Sequence, residues 1–143
     1  MYLVDTNVWL ERLLEQTRSE EVGKFLERVP GDQLYLTDFT LHSIGIILTR
    51  LDQVATFSDF VEDVLINGSV HLVGLQPEDM SLVTEAGKEY ELDFDDAYQH
   101  ESASKFGLIL VSFDSDFDRT PRRKKSPSEI EPNQVRDGEE PKT

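Results

Sequence analysis

The sequence contains no cysteine, which excludes disulfide bonds and metal sites built from thiolates. Basic residues are also few: 14 Lys and Arg stand against 29 Asp and Glu, and the formal net charge is −15. A chain this acidic repels the phosphates of nucleic acids at long range, so any contact with them must be local and helped by a cation or a basic segment. The same acidity also fits a simpler explanation, namely solubility or life at high salt.

Long apolar runs are absent as well. No stretch approaches the ~20 residues that a membrane span needs, and the N-terminus lacks the basic and apolar regions of a signal peptide. We therefore expect a cytoplasmic protein without a membrane partner. A length of 143 residues allows one domain with a substantial core and is too short for two ordinary domains.

Charge is distributed unevenly along the chain. Residues 1–118 contain 24 acidic and 7 basic residues, whereas residues 119–143 contain 5 acidic and 7 basic residues. This last segment has almost no large apolar side chains, so it cannot bury enough surface to offset its ordering entropy. We predict one folded domain over residues 1–118 and a flexible tail over residues 119–143. The tail contains a basic run, which would either contact phosphates or merely add solubility: Arg122, Arg123, Lys124 and Lys125.

The folded part alternates between short apolar runs and segments whose apolar residues have helical spacing. Predicted strands cover residues 2–4, 34–37, 70–75 and 108–112, and predicted helices cover residues 7–15, 20–29, 39–51, 57–66, 77–90 and 94–106. Strands separated by helices predict a parallel sheet with right-handed crossovers and helices on both faces.

Acidic side chains follow two of the predicted strands. Asp5 stands between the first strand and the first helix, and Asp114 and Asp116 come just after the fourth strand. The carboxyl ends of parallel strands meet at one edge of the sheet, where open α/β folds bind their ligands. Thr6 or Asn7 is placed to cap the first helix. This leaves Asp5 available for another role, although capping by Asp5 itself would also explain its position.

A further group of acids begins the predicted helix over residues 94–106. Asp93 suits the N-cap position, and acids in general favour a first helical turn, so capping explains part of this group. One carboxylate is enough for a cap, and Asp96 is the candidate for a further role. Crowded carboxylates attract a divalent cation, and hard oxygen ligands suit Mg²⁺ or Mn²⁺ better than zinc. The residues alone therefore indicate a metal-dependent enzyme acting on phosphate esters.

Three pieces of the chain, taken in order, resemble motifs of the PIN-domain family, which includes the VapC-type ribonuclease toxins of toxin–antitoxin pairs. The pieces are residues 3–8 (LVDTNV), residues 96–97 (DA) and residues 107–117 (GLILVSFDSDF). The resemblance implies a three-layer α/β/α fold with a central parallel sheet of four or five strands, over about residues 1–118. It also implies RNA cleavage that depends on Mg²⁺ or Mn²⁺, an antitoxin as a candidate partner, and a homodimer.

The resemblance also implies roles for individual residues. Asp5, Asp96 and Asp114 would be the catalytic acids that bind the metal, and Asp116 would be an additional metal ligand. Two hydroxyl side chains would support the site by hydrogen bonds, Thr6 and Ser112. The basic run over residues 122–125 would then be a candidate contact for the RNA substrate.

The chain departs from the family pattern at one position. The family usually has a glutamate in the helix after the second strand, and Ser43 occupies that place. A hydroxyl does not supply the missing negative charge, so metal affinity should fall unless another acid compensates, and Asp38 and Asp93 are the candidates. Without compensation, the chain would be a weak or inactive module that binds RNA or a protein partner. An aspartyl-phosphate phosphatase with Asp5 as nucleophile ranks last, because Asn7 stands where such enzymes usually need an acid.

Overall fold

The computed structural model describes residues 1–131. Within this range the chain forms four β-strands and six α-helices, in the order β1 (Tyr2–Val4), α1 (Thr6–Leu13), α2 (Ser19–Arg28), β2 (Leu34–Thr37), α3 (Asp38–Arg50), α4 (Val54–Phe60), β3 (His71–Val73), α5 (Met80–Tyr90), α6 (Phe94–Phe106) and β4 (Ile109–Val111). A π-helix (Val61–Ile66) continues α4, and 3₁₀ turns cover Gly31–Gln33, Pro77–Asp79, Ser115–Arg119 and Pro127–Glu129.

The four strands form one parallel sheet in the order β3-β2-β1-β4. β1 lies inside the sheet, where Leu3 is opposite Tyr35 of β2 and opposite Leu110 of β4. Because the strands run in the same direction, the segments that follow β1, β2 and β4 begin at the same edge of the sheet. The backbone nitrogen of Asp5 donates a hydrogen bond of 2.9 Å to the carbonyl of Val111, so the first of these segments is joined directly to the end of β4.

Helices cover both faces of the sheet. Successive side chains of a strand point to opposite faces, and in β1 they enter different apolar clusters. Val4 joins the cluster that contains the buried side chains of α1 to α4, whereas Leu3 joins Ala103 of α6 and Phe117. The helix α5 packs on α6 through a third cluster around Val83. The predicted α/β/α fold with a central parallel sheet is confirmed.

The helix α1 begins one residue earlier than the sequence predicts. Neither Thr6 nor Asn7 is its N-cap, so that prediction was wrong. The N-cap is Asp5, whose carboxylate accepts a hydrogen bond of 2.8 Å from the backbone nitrogen of Thr6. Asp5 has extended backbone angles, as an N-cap residue requires. The strand end therefore positions Asp5 for capping and for the crevice at the same time.

The flexible tail predicted from Arg119 onwards is not what the structure describes over residues 119–131. The backbone of Lys125 pairs with the exposed edge of β4 through bonds of 2.9 Å to Leu110 and Ser112. Ile130 is 3% exposed within the main apolar cluster, and Arg28 donates hydrogen bonds of 2.6 and 3.0 Å to the carbonyls of Pro127 and Ile130. A few apolar side chains and an available strand edge are enough to order this segment. The rest of the predicted tail, residues 132–143, lies outside the described residues.

Among residues 1–131, no helix has both the length and the apolar character needed to cross a bilayer.

Candidate metal centre and active site

Asp5 is fixed at the end of β1, with 6% of its surface exposed. Its Oδ1 accepts hydrogen bonds from the Thr6 backbone nitrogen at 2.8 Å and from Gln99 Nε2 at 2.9 Å. Its Oδ2 accepts a hydrogen bond of 2.8 Å from the Ser112 hydroxyl. Burial raises the pKa of Asp5, the three hydrogen bonds oppose that rise, and the charge of Asp114 adds to it. The carboxylate is therefore held in one orientation beside Asp114.

Gln99 of α6 connects Asp5 to the end of β2 and the start of α3. Its amide nitrogen also donates to the hydroxyl of Thr40 at 3.0 Å, and its carbonyl accepts from the hydroxyl of Thr37 at 2.7 Å. Thr37 is the N-cap of α3, and its hydroxyl accepts a hydrogen bond of 3.0 Å from the Thr40 backbone nitrogen. The Thr40 hydroxyl lies 2.9 Å from the hydroxyl of Thr6. This network joins four elements beneath the site, namely α1, β2, α3 and α6.

Ser112 lies between Asp5 and Asp114. Besides its bond to Asp5, its hydroxyl accepts hydrogen bonds from the backbone nitrogen of Asp114 at 3.0 Å and from Asn7 Nδ2 at 3.3 Å. Asn7 in turn accepts a hydrogen bond of 3.3 Å from the backbone nitrogen of Phe113. The polar side chains of Thr6 and Ser112 thus both belong to the network that orients the acids.

Three of the predicted site residues lie together. Asp96 is in the first turn of α6, where its backbone nitrogen donates to the N-cap Asp93 at 2.9 Å. Asp114 caps the following 3₁₀ turn by accepting a hydrogen bond of 2.9 Å from the backbone nitrogen of Asp116. Carboxylate oxygens of Asp96, Asp114 and Asp116 lie within 4.8 Å of one another. Asp5 stands beside this group with both of its oxygens engaged in hydrogen bonds.

Burial and the neighbouring acids together disfavour the charged form of Asp96. Partial burial, followed by the charges of Asp114, Asp93 and Asp5, raises the pKa of Asp96 to about 8. At neutral pH a proton therefore reduces the repulsion when no cation is bound. A divalent cation would relieve the same repulsion more completely. Three hard carboxylate oxygens could supply part of the octahedral oxygen shell of Mg²⁺, which usually keeps several water ligands.

The acids open into a cleft of about 280 Å³ at the carboxyl edge of the sheet. The cleft is lined by Asp5, Thr6, Asn7, Leu10, Phe39, Ser43, Ile47, Asp95, Asp96, Gln99 and Asp114. Ser43 therefore faces the site, as the family pattern implies for this position. The cleft combines an acidic wall with apolar side chains of α1 and α3, an arrangement that suits a cation together with a partly apolar ligand.

Two acids were suggested as substitutes for the missing glutamate, and among the described residues neither lines this cleft. Asp38 instead accepts hydrogen bonds from Tyr98 and from the Phe39 backbone at 2.8 and 2.7 Å, and Asp93 is engaged as the N-cap of α6. Asp95 does line the cleft together with Ser43. Asp95 belongs to the group of acids at the start of α6, where the general preference for acids in a first helical turn already explains it, so its position in the cleft was not predicted.

Gln99 was also missed. It is 1% exposed, yet a glutamine within a polar helix is normally expected at the surface. The available signal was its spacing of three residues from Asp96, which places both side chains on one face of the helix. The basic run over residues 122–125 lies elsewhere, around a concavity beside β4 that these residues line with Asp118 and Glu129.

The chain belongs to the PIN domain family, whose model matches residues 2–123. A comparison with curated proteins gave no significant match.

Three solved structures show the same fold. A toxin–antitoxin complex from Klebsiella pneumoniae has a TM-score of 0.72 at 21% identity, covering 91% of this chain and 100% of the other. FitAB bound to an IR36 DNA fragment has a TM-score of 0.76 at 16% identity, covering 92% of this chain and 98% of the other. FitAcB from Neisseria gonorrhoeae has a TM-score of 0.71 at 18% identity, covering 91% of this chain and 100% of the other. At these identities the likeness concerns the fold.

Proposed function

We propose that this protein is an endoribonuclease that depends on Mg²⁺ or Mn²⁺ and acts as the toxin of a toxin–antitoxin pair. The observation that supports this most is the group of three carboxylate oxygens within 4.8 Å, located at the ligand-binding edge of a PIN domain. Asp96, Asp114 and Asp116 would hold the cation, and Asp5 would be a further ligand. When bound, the cation would polarise a scissile phosphate and lower the pKa of a water molecule.

The remaining residues of the site would position these acids. Asp5 is held by three hydrogen bonds, so its charge stays directed at the cluster without reorganisation. Ser112 fixes both Asp5 and Asp114. The apolar side chains of Leu10, Phe39 and Ile47 line the same cleft and would contact a base or ribose.

The antitoxin partner is proposed because two of the similar structures are described as a toxin–antitoxin complex and as FitAB on DNA. A homodimer remains a prediction that rests on the family resemblance. The fold offers an apolar groove on α3 and α4, lined by Leu41, Gly45, Ile46 and Phe57 among others, with a volume of about 620 Å³.

The decisive experiment is cleavage of a mixed RNA pool by the purified protein in Mn²⁺. We expect cleavage that EDTA abolishes and that leaves 5′-phosphate ends, because a metal-activated water would attack rather than the ribose hydroxyl. Asp114→Asn should remove the activity, whereas Asp59→Asn, which changes an exposed aspartate of α4 away from the cleft, should retain it. Full activity of Asp114→Asn, or cleavage in EDTA, would contradict the proposal.

A non-catalytic PIN module is the second candidate, and the position of Ser43 in the cleft wall favours it. Such a module would bind RNA or a protein partner without cleaving it. Absence of cleavage by a folded protein that still binds RNA would select this candidate. Restoration of cleavage by Ser43→Glu would then identify the missing carboxylate as the cause.

A further inference from the structure

A basic patch lies beside the edge strand β4. It consists of Arg122, Arg123, Lys124 and Lys125, which surround a concavity of about 550 Å³. Two acids, Asp118 and Glu129, also line it. The patch contrasts with the rest of the molecule, because residues 1–118 carry a balance of −17.

The patch is held in place by the sheet and by α6. Lys125 forms two backbone hydrogen bonds of 2.9 Å to the edge of β4. The guanidinium of Arg122 donates to the carbonyls of Leu108 at 3.0 Å and Ala103 at 3.4 Å, next to the C-terminal end of α6, where a positive charge is favourable. The remaining cations of the patch therefore project from an ordered backbone.

These cations are weakly neutralised. Asp118 lies 3.8 Å from Arg123 and 3.9 Å from Lys124, and ion pairs that are partly exposed to solvent contribute little. Glu129 accepts hydrogen bonds from the backbone nitrogen and hydroxyl of Ser126 at 2.7 and 3.1 Å, so its carboxylate is engaged in capping. Within residues 1–131, the Lys125 side chain makes no ion pair. The patch thus retains capacity for an external anion.

The basic patch and the carboxylate cluster are connected through one 3₁₀ turn. Asp116 contributes an oxygen to the cluster, and Asp118, two residues later in the same turn, lines the patch. The concavity continues along β4 as far as Leu108. A strand of several nucleotides with one phosphate in the cleft would therefore extend to the patch with its following phosphates.

We propose that the basic patch binds the phosphate backbone of single-stranded RNA next to the phosphate that enters the cleft. This inference rests on the proposed nuclease function. A positively charged groove that follows the backbone is the usual way to hold a single strand without reading its sequence. Here it would offset the repulsion from the acidic domain. An acidic polypeptide has a similar charge, but the connection of the patch to the carboxylate cluster through one 3₁₀ turn favours the strand that the cleft would cut.

The test uses Arg123→Gln/Lys125→Gln, which removes two exposed cations. Arg122 is left intact because it bonds to backbone carbonyls, and Lys124 because its side chain is only 18% exposed. The control is Lys24→Gln/Lys88→Gln, which removes the same charge from two exposed lysines elsewhere. Binding of a labelled RNA strand of about 12 nucleotides is measured by fluorescence anisotropy in EDTA, so that no cleavage occurs, at several salt concentrations.

We expect the double variant to lower the slope of log affinity against log salt by about 1.4, since each lost phosphate contact on a single strand contributes about 0.7. Raising salt from about 50 to about 200 mM should then weaken the unmodified protein about sevenfold more than the variant. The control should keep the original slope. An unchanged slope in the double variant, or an equal change in the control, would overturn the proposal.

A polyglutamate peptide with as many residues as the RNA has nucleotides tests whether the basic patch instead binds an acidic polypeptide. If the peptide binds with a dependence on Arg123 and Lys125 while RNA binding does not depend on them, the patch serves an acidic polypeptide and the proposal fails. Cleavage in Mn²⁺ is scored separately. A protein that fails to cleave but shows the expected change of slope would contradict the proposed nuclease and still support the basic patch as an RNA contact.

Discussion

Gln99 is the side chain through which α6 holds Asp5 and the start of α3 together. Its replacement by leucine approximately keeps the side-chain volume. The Thr37 hydroxyl would lose its acceptor, and Oδ1 of Asp5 would lose one of its two donors. A buried polar group without a partner costs ~1–3 kcal/mol, so we expect Gln99→Leu to lower the free energy of unfolding by about 3 kcal/mol. Urea unfolding measures this. Gln16→Leu, at an exposed site, should change it by less than about 0.5 kcal/mol, and equal effects in both variants would contradict the role of Gln99.

Asp95 and Ser43 line the same cleft wall, and this predicts how metal affinity responds to their charge. Asp95→Asn should weaken Mn²⁺ binding by about tenfold, the lower end of the effect of groups surrounding a metal, and Ser43→Glu should strengthen it. Isothermal titration with Mn²⁺ at fixed pH measures both changes. Asp59→Asn is the matched control, since Asp59 is an exposed aspartate of α4 that does not line the cleft. An effect at Asp59 as large as the effect at Asp95 would contradict the assignment.

At this scale, the sequence was sufficient to predict the position of acids that directly follow a strand. Asp5, Asp114 and Asp116 follow β1 and β4, and parallel pairing brings those ends together. It failed for Gln99 and Asp95, because both lie on a helix, where a polar residue is normally exposed or caps the helix. Which helical residues face the site depends on how α6 rotates against the sheet, and that is decided by packing between distant parts of the chain.

At the scale of elements, all four predicted strands and six predicted helices are present, and the largest difference is the segment after residue 118. Its composition suggested disorder, yet it lies along β4 and inserts Ile130 into the core. The long-range contacts with Arg28 and β4 that order it leave no local pattern in the sequence. An unpaired strand edge invites such pairing, so the edge strand of a predicted sheet is the place to look for it.

The contribution of this segment is testable through two isoleucines. Ile130 is 3% exposed and Ile109 is 41% exposed. We expect Ile130→Ala to lower the free energy of unfolding by about 2–5 kcal/mol, as for other buried truncations of this size. Ile109→Ala should cost less than about 1 kcal/mol. Denaturant unfolding measures both, and a cost at Ile130 no larger than at Ile109 would show that residues 119–131 are not anchored in the core.

At the scale of the whole molecule, a net charge of −15 and a crowded acidic cleft make stability depend on pH and on cations. The pKa of Asp96 rises from 3.8 to about 8 in the folded protein, so the folded state holds a proton that the unfolded chain has released. Between these two values the unfolded state binds fewer protons, and stability falls as pH rises. The stabilising contribution of protonated Asp96 is complete below about pH 4 and is lost by about pH 8.

We therefore expect that, in EDTA, the melting temperature of the unmodified protein falls relative to that of Asp96→Asn as pH rises from about 5 to about 8, because asparagine does not titrate. Asp59→Asn controls for the general effect of removing a charge, and its melting temperature should stay parallel to that of the unmodified protein. Mn²⁺ should raise the melting temperature of the unmodified protein more at the upper end of this range, because binding displaces the proton from Asp96. In Asp96→Asn that gain should be small at every pH. Parallel pH profiles of the unmodified protein and Asp96→Asn in EDTA, measured by differential scanning calorimetry, would contradict the electrostatic account of the carboxylate cluster.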